Sequence, residues 1–131
     1  MFSAWMIGVE DEPDRCGEIC IVEVFGDSIS GDQVLLGCGI HAFRDPALAE
    51  DFATVALALD VAEDHRYAVV WTPDGVDFLV DDVVVRRSAE SPAYPLQLIL
   101  GVFDFPDRAT GDGTPPTPQL VVSRVAWEPL G

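Results

Sequence analysis

Two glutamates lie within one short apolar segment, residues 17–26, and their spacing is the strongest chemical signal in the sequence. Glu18 and Glu23 are separated by four residues, of which all but Cys20 are aliphatic. Acidic residues are poor strand formers, and burying an unpaired charge is costly, so both glutamates need a reason to be there. Retaining glycosidases use such a pair with carboxyl groups about 5 to 5.5 Å apart, one as nucleophile and the other as general acid and then general base.

The local backbone decides whether the two carboxyl groups can meet. In a regular strand Glu18 and Cys20 share one face, whereas Glu23 points to the other. A β-bulge near Ile21 and Val22 would reset the alternation and bring Glu18, Cys20 and Glu23 to one face. Without a bulge, Glu23 is a solvent-facing acid and Glu18 a residue at the strand edge. Spacing alone favours this second interpretation, because two acids in one strand are common.

The hydrophobic pattern of the chain has a period of two, which is typical of β-strands. Runs of aliphatic and aromatic residues alternate with Gly, Pro and Asp, which end strands and form turns. We predict strands at residues 2–9, 18–25, 34–41, 54–61, 66–72, 76–80, 83–87, 96–103 and 119–128. A chain of 131 residues with this pattern is predicted to be a single all-β sandwich domain, 1–131.

Three turns are well marked in the sequence. Residues 72–75 read Thr-Pro-Asp-Gly, with Pro and Gly where a tight β-turn needs them. Two aspartates at 81–82 break an aliphatic run and predict a hairpin there. Residues 108–118, rich in Gly, Pro and Thr, predict a long surface loop.

The chain is strongly acidic, with 23 Asp and Glu residues against seven basic residues, all arginine, and a net charge of −16. This charge disfavours nucleic acid and anionic membranes as partners, because their phosphates would be repelled. It is compatible with neutral partners such as sugars, although solubility is the commoner reason for an acidic surface. No apolar run approaches the roughly 18–20 residues of a membrane span. The first six residues lack the features of a signal peptide, so we expect a cytoplasmic protein.

The cysteines and histidines do not form a metal-binding pattern. Cys16, Cys20 and Cys38 are odd in number, so they cannot all pair within one chain. A second pair of zinc ligands is missing, and His41 and His65 do not supply it convincingly. We expect buried thiols in a reducing compartment, with no cofactor and no metal.

The motifs along the chain, taken in order, resemble glycoside hydrolase family 16. That family carries a strand motif of Glu, any residue, Asp, one or two residues and Glu, whose longer form contains a bulge; residues 18–23 match it with cysteine at the Asp position. Residues 4–8 resemble the aromatic-rich strand before this motif, and 67–82 resemble the family's hairpin. Residues 94–103 resemble the next cleft strand, and 120–127 the closing strand. The resemblance implies a jelly-roll sandwich of the concanavalin A-like lectin and glucanase type.

The resemblance also assigns roles to the motif. Glu18 would be the nucleophile and Glu23 the acid/base of a retaining endo-β-glucanase that hydrolyses O-glycosidic bonds in β-glucan-type polysaccharides. Cys20 stands where the family has an Asp that tunes the pair, and a thiol is a weaker hydrogen-bonding partner. Cys20 is a poor candidate for a nucleophile, since neither histidine is clearly placed to activate it. The alternative is a non-catalytic or vestigial carbohydrate-binding module of the same fold.

Five further residues are predicted to bind substrate: Trp5, His41, Trp71, Gln97 and Phe103. The rings of Trp5, Trp71 and Phe103 are candidate platforms for sugar rings, and the alternative for each is a place in the core. His41 follows a Gly-rich strand where the family often has a ligand-contacting histidine; a surface histidine fits equally well. Gln97 lies in the segment that resembles the next cleft strand.

The same alignment shows departures from the family. Phe103 replaces a Trp and Gly101 an Asn, and both changes weaken the grip on substrate. Val122 takes the place of the usual calcium-binding Asp, so we expect no calcium. A complete family 16 domain is much longer, so we expect its amino-terminal strands to be missing here. Exposed sheet edges would favour association, and we expect a homodimer; a domain that binds another chain through these edges is a third interpretation.

Overall fold

The computed structural model describes residues 1–105 and 117–130. This part of the chain forms one short 3₁₀ turn, Gly26–Ser28, and nine β-strands. The strands in chain order are β1 (Phe2–Ile7), β2 (Glu18–Val24), β3 (Ile29–Ser30), β4 (Gln33–His41), β5 (Asp51–Ala58), β6 (Tyr67–Thr72), β7 (Gly75–Val80), β8 (Val83–Ser88) and β9 (Gln97–Val102). Within the same ranges, no helix is long and apolar enough to cross a membrane.

The strands form two antiparallel sheets. The larger sheet has the order β3-β4-β2-β1-β9, with β5 also paired to β4, and the smaller sheet has the order β6-β7-β8. Strand β2 lies in the middle of the larger sheet between β1 and β4. The segment with the two glutamates is therefore held on both sides by paired strands. The predicted all-β sandwich is confirmed.

The core fills the space between the two sheets. Strand β2 contributes Ile19, Val22 and Val24, each at most 2% exposed. They pack with alternate residues of β4 and β7, namely Val34, Leu36, Cys38, Ile40, Val76, Phe78 and Val80. Burying an aliphatic or aromatic side chain of this size stabilises the fold by about 1.5–3 kcal/mol. The apolar residues therefore determine which face of each strand points inward, and the remaining residues occupy the outer face.

Both predicted hairpin turns are present. The turn at 72–75 joins β6 to β7. Asp81 and Asp82 join β7 to β8 and have φ angles of 48° and 66°, the left-handed conformation that a two-residue hairpin turn needs. The carboxylate of Asp81 accepts the N–H of Arg66 at 2.9 Å and lies 2.8 Å from Nδ1 of His65. These contacts stabilise a conformation that aspartate tolerates but glycine adopts more readily.

One predicted strand is wrong, and another is displaced. Residues 119–128 form no strand, and Val121 and Trp127 are 79% and 82% exposed. An alternating sequence is compatible with a strand, but a strand forms only where a neighbouring edge supplies backbone hydrogen bonds, and no described edge pairs with this segment. The strand predicted at 54–61 begins three residues earlier, because β5 pairs with most of β4. The loop predicted at 108–118 lies mostly outside the described residues.

Candidate active site

Strand β2 contains a bulge at the predicted place. Along the pairing with β4, Cys20 lies opposite Gly39 and Glu23 lies opposite Gly37, so three steps on β2 match two on β4. The pairing with β1 is interrupted at the same point, and Ile21 has no opposite residue on either neighbour. One extra residue is therefore accommodated in β2.

The bulge brings the two glutamates and the cysteine to one face. Ile19 and Val22 both belong to the core although they are three residues apart, which requires the alternation to be reset between them. Glu18, Cys20 and Glu23 then share the outer face of the larger sheet. The open choice between a regular and a bulged strand is settled in favour of the bulge, because only the bulged strand buries both aliphatic residues.

The Glu18 carboxyl is electrostatically coupled to its neighbours. Burial raises the pKa of Glu18 from its ordinary value of 4.5 to about 7; the charge of His41 lowers it, and those of Glu23 and Glu50 raise it. Charges change each other's protonation mainly at short range, so Glu23 lies close enough to Glu18 to affect its pKa. Near neutral pH, Glu18 exchanges between an ionised form that can attack and a protonated form that can donate.

Cys20 lies between the two glutamates and is 1% exposed. Burial first, and then the charges of Glu18 and Glu23, raise the pKa of the Cys20 thiol far above its ordinary value, while a hydrogen bond with Ser3 lowers it slightly. The thiol is therefore protonated at neutral pH. It adds no charge to the site, unlike the Asp that the family motif has here.

His41 lies across the sheet from Glu18, directly opposite it in the pairing of β2 with β4. Its Nδ1 is 2.6 Å from a carboxylate oxygen of Glu50, and the other oxygen accepts the N–H of Ala42 at 3.0 Å. The imidazole stacks on the ring of Phe52, with centroids 4.5 Å apart. His41 is thus held in place across the sheet from Glu18 by Glu50 and Phe52.

Phe52 and Glu50 were not predicted from the sequence. The ring of Phe52 covers Gly37, where a Cβ atom would lie 2.6 Å from the ring. At Gly39 a Cβ would lie 2.2 Å from the carbonyl oxygen of Asp51, and φ is +147°. Glycine inside a strand marks the close approach of another group, so the two glycines were the available signal. They did not reveal which residue approaches.

Trp5 and Phe103 lie on the other side of the carboxyl groups. Trp5 is opposite Cys20 on one side and Ile99 on the other. Its ring is 6.0 Å from that of Phe103. A Cβ at Gly101 would lie 2.9 Å from the Phe103 ring and 3.1 Å from that of Trp5, so the two rings fill the space that glycine leaves. Both predicted aromatic residues are therefore on the face of the carboxyl groups.

Gln97 and Trp71, the two remaining predicted residues, lie in different places. Gln97 is exposed and opposite Ile7, on the same face as Trp5 but at the sheet edge. Trp71 belongs to the smaller sheet and packs against the core. Its indole N–H is 3.0 Å from the hydroxyl of Ser91 and 3.1 Å from the carbonyl of Pro92. The structure does not bring Trp71 to the carboxyl face, and its packing supports the core alternative.

A cavity of about 550 Å³ opens beyond Glu18. It is lined by Ile7, Glu10, Cys16, Phe43 and Arg44. Ile7 lies opposite Glu18 in β1, so the cavity adjoins the outer face without containing the carboxyl pair. None of its lining residues was singled out as a site residue from the sequence. Among residues 1–105 and 117–130, no group of three His, Cys, Asp or Glu side chains is placed to hold a metal ion.

The fold and the outer face together define a class of protein. The central strand of a β-sandwich carries two coupled carboxyl groups, and aromatic rings lie on either side of them. This layout is typical of proteins that bind or cleave glycans, because flat rings pack on sugars and paired carboxyls cleave glycosidic bonds.

The chain belongs to family 16 of the glycosyl hydrolases, whose family model matches residues 1–115. It is 40% identical over 58 residues to the probable xyloglucan endotransglucosylase/hydrolase protein 30 of Arabidopsis thaliana, covering 39% of this chain and 17% of that protein. Among solved structures it resembles the GlcNAcα1-4Gal releasing endo-β-galactosidase from Clostridium perfringens, with 25% identity and a TM-score of 0.61. That match covers 76% of this chain and 26% of the galactosidase, and it confirms the jelly-roll fold. Family membership supports a glycan-hydrolysing or glycan-binding function.

Proposed function

We propose that this chain is the catalytic part of a retaining glycoside hydrolase that cleaves O-glycosidic bonds in β-glucan-type polysaccharides. Glu18 is the nucleophile and Glu23 the acid/base. The observation that carries the proposal is the bulge in β2, because it gives both carboxyl groups the same face in a single strand. Bulges are over-represented beside active sites, where they re-aim a side chain.

The mechanism assigns each glutamate a protonation state. The Glu18 carboxylate attacks the anomeric carbon, and Glu23 donates a proton to the leaving oxygen, giving a covalent glycosyl-enzyme. Glu23 then takes a proton from a water molecule, which attacks the anomeric carbon and releases Glu18. Because the pKa of Glu18 is about 7, its reactive ionised form increases as pH rises through neutrality.

The substrate is a neutral polysaccharide in this proposal. Trp5 and Phe103 lie to one side of the carboxyl pair, and His41 and Phe52 to the other. Rings on both sides suit sugar units on both sides of the cleaved bond. A chain with a net charge of −16 repels polyanions, so an uncharged β-glucan fits better than an acidic glycan.

The test is release of reducing ends from β-1,3-glucan, mixed-linkage glucan and galactan by the folded protein. We expect release from at least one β-glucan, and none after Glu18→Gln. Glu63→Gln, which changes an exposed loop carboxylate, is the matched control and leaves the rate unchanged. Proton NMR of the first product distinguishes the mechanism, because retention gives the β anomer before mutarotation. Lack of release from every substrate, or an α anomer as first product, contradicts the proposal.

A binding module of the same fold is the second candidate, and Cys20 favours it. The buried, protonated thiol replaces a carboxyl group that tunes the pair, and the raised pKa of Glu18 reduces the ionised nucleophile at neutral pH. A binding module predicts heat of binding with glucans in titration calorimetry, no turnover, and binding that survives Glu23→Gln. Absence of heat with every glucan contradicts this candidate.

We also propose that the chain forms a dimer through β9. No described strand pairs with the outer edge of β9, and the strand contains neither charge nor proline, the usual protections of an exposed edge. Leu98, Leu100 and Val102 lie on its core-facing side and are 41%, 41% and 42% exposed. Antiparallel pairing of two β9 strands would cover them. Size-exclusion chromatography with light scattering at micromolar concentration should give the mass of two chains, and a clean monomer contradicts the pairing.

A further inference from the structure

Glu50 connects the ends of two neighbouring strands through His41. It lies immediately before β5, and both of its carboxylate oxygens contact residues at the end of β4. One oxygen is 2.6 Å from Nδ1 of His41, and the other accepts the N–H of Ala42 at 3.0 Å. Glu50 is itself exposed. Two well-defined contacts from an exposed side chain indicate that it orients the imidazole rather than filling the core.

The protonation of the ring follows from this contact. A carboxylate only accepts hydrogen bonds, so Nδ1 of His41 must carry the proton. Phe52 stacks against the same ring with an interplanar angle of 21°, and Phe43 lies 5.7 Å from it. The ring is therefore fixed in both orientation and tautomer. Among residues 1–105 and 117–130, the other nitrogen, Nε2, has no hydrogen-bond partner.

We propose that Glu50 is a positioning residue of the site: it holds His41 in the Nδ1–H form, so that Nε2 meets a hydroxyl group of the sugar bound beside Glu18. This inference rests on the proposed function. The position of His41 directly opposite Glu18 puts the ring next to the reacting sugar. In its neutral form Nε2 accepts a hydrogen bond from a sugar hydroxyl.

Cys20 makes the pair formed by His41 and Glu50 more important for binding, because the thiol cannot supply a strong polar contact in the motif itself. The thiol between the two glutamates is uncharged and is a weak hydrogen-bonding group. A polar contact with a sugar beside Glu18 must then come from outside β2, and His41 lies directly opposite Glu18 on β4. Glu50 does not touch the substrate in this scheme; it acts only through the ring of His41.

The test measures the tautomer of His41 directly, with long-range proton–nitrogen NMR of the ring in the free, full-length protein. The wild type should show Nδ1–H in the neutral ring. Glu50→Gln should shift the population toward Nε2–H, because an amide NH₂ can donate to a bare Nδ1. Glu90→Gln is the matched control: its carboxylate accepts the N–H of Ala49, one residue before Glu50, at 2.9 Å, and within the described part of the chain it makes no hydrogen bond with His41. The control should leave the tautomer as in the wild type.

A kinetic test shows whether the tautomer matters. Loss of the partner behind a metal-bound histidine costs about 10–100-fold in affinity or activity, and we expect a loss of kcat/KM near the lower end for Glu50→Gln. In a His41→Asn background the same substitution should have no further effect, which a merely structural role would not produce. An Nε2–H ring in the wild type, or an unchanged tautomer in Glu50→Gln, overturns the inference. If the tautomers are as expected but the protein cleaves no glycan, the NMR result supports the positioning of His41 by Glu50, and the lack of cleavage refutes the proposed hydrolase.

Discussion

The substitution Glu18→Gln should make the protein more stable at alkaline pH while abolishing turnover. Burial raises the pKa of Glu18 from 4.5 to about 7, so the folded state resists ionisation of this carboxyl. A change of one pKa unit corresponds to about 1.4 kcal/mol. The change from 4.5 to about 7 therefore corresponds to a free-energy penalty of about 3 kcal/mol for ionising Glu18 in the folded state. The carboxyl is partly exposed and screened by solvent, so we expect about 1–2 kcal/mol of measurable free energy.

The sign of the effect depends on pH. Below pH 4.5 the carboxyl is protonated in both the folded and the unfolded chain, and it contributes no penalty. Between pH 4.5 and 7 the unfolded chain loses its proton first, so the free energy of unfolding falls; above pH 7 the penalty is complete. Glutamine has no charge to bury. The variant should therefore match the wild type at pH 4 and exceed its stability by about 1–2 kcal/mol at pH 8.

Urea denaturation followed by circular dichroism, at pH 4 and pH 8, measures this difference. Glu63→Gln is the control, since its exposed carboxyl should give the same small difference at both pH values. Glu23→Gln adds a further check: Glu23 raises the pKa of Glu18, so its neutralisation should shift the pH dependence of stability toward lower pH. Equal differences between Glu18→Gln and the wild type at both pH values, or a less stable variant at pH 8, would refute the reasoning.

Three further predictions concern the bulge, the small sheet and a hairpin. Deletion of Ile21 removes the extra residue but leaves both glutamates and both core residues on their present faces, so circular dichroism and the urea midpoint should show a folded protein; an unfolded chain contradicts the alternation. Trp71→Phe removes the N–H that contacts Ser91 and should lower the free energy of unfolding by about 1–2 kcal/mol with no change in glucan affinity. Weaker glucan binding in calorimetry would show that Trp71 contacts the substrate. The hydrogen bond with Asp81 raises the pKa of His65. The contact of protonated His65 therefore contributes its full stability below the pKa of the unfolded chain, and this contribution is lost as pH rises through the higher pKa of the folded state. His65→Gln should therefore lower the melting temperature at pH 5.5 and have little effect at pH 9; an equal loss at both pH values contradicts the charge interaction.

The sequence was a good guide wherever the decisive information was local. Alternating apolar residues predicted eight of the nine strands of the described chain, because a side chain that must be buried fixes the face of its own strand. The two-residue strand β3 was too short to give a period. A bulge was accessible only as one of two alternatives, since Glu18 and Glu23 share a face if one residue is extra, and spacing alone favoured the regular strand.

Contacts between distant segments could not be predicted in the same way. The alternating segment at 119–128 has the composition of a strand, but no edge of the described structure pairs with it, and an alternating pattern does not specify an edge. The sequence left Trp71 equally compatible with a sugar platform and with a place in the core, and its packing against the core from the smaller sheet favours the second. Phe52 and Glu50 come from a strand and a loop that the pairing of β5 with β4 brings beside His41.

The carboxyl pair itself was determined by both levels. The sequence alone determined that Glu18 and Glu23 share a strand and that one inserted residue would let them share a face, because alternation is a property of the strand's own backbone. Only the tertiary structure decided that the bulge forms, since both core residues must be buried against the smaller sheet. It also decided the chemistry around the pair, because the raised pKa of Glu18 arises chiefly from burial and the orientation of His41 from its contacts with Glu50 and Phe52.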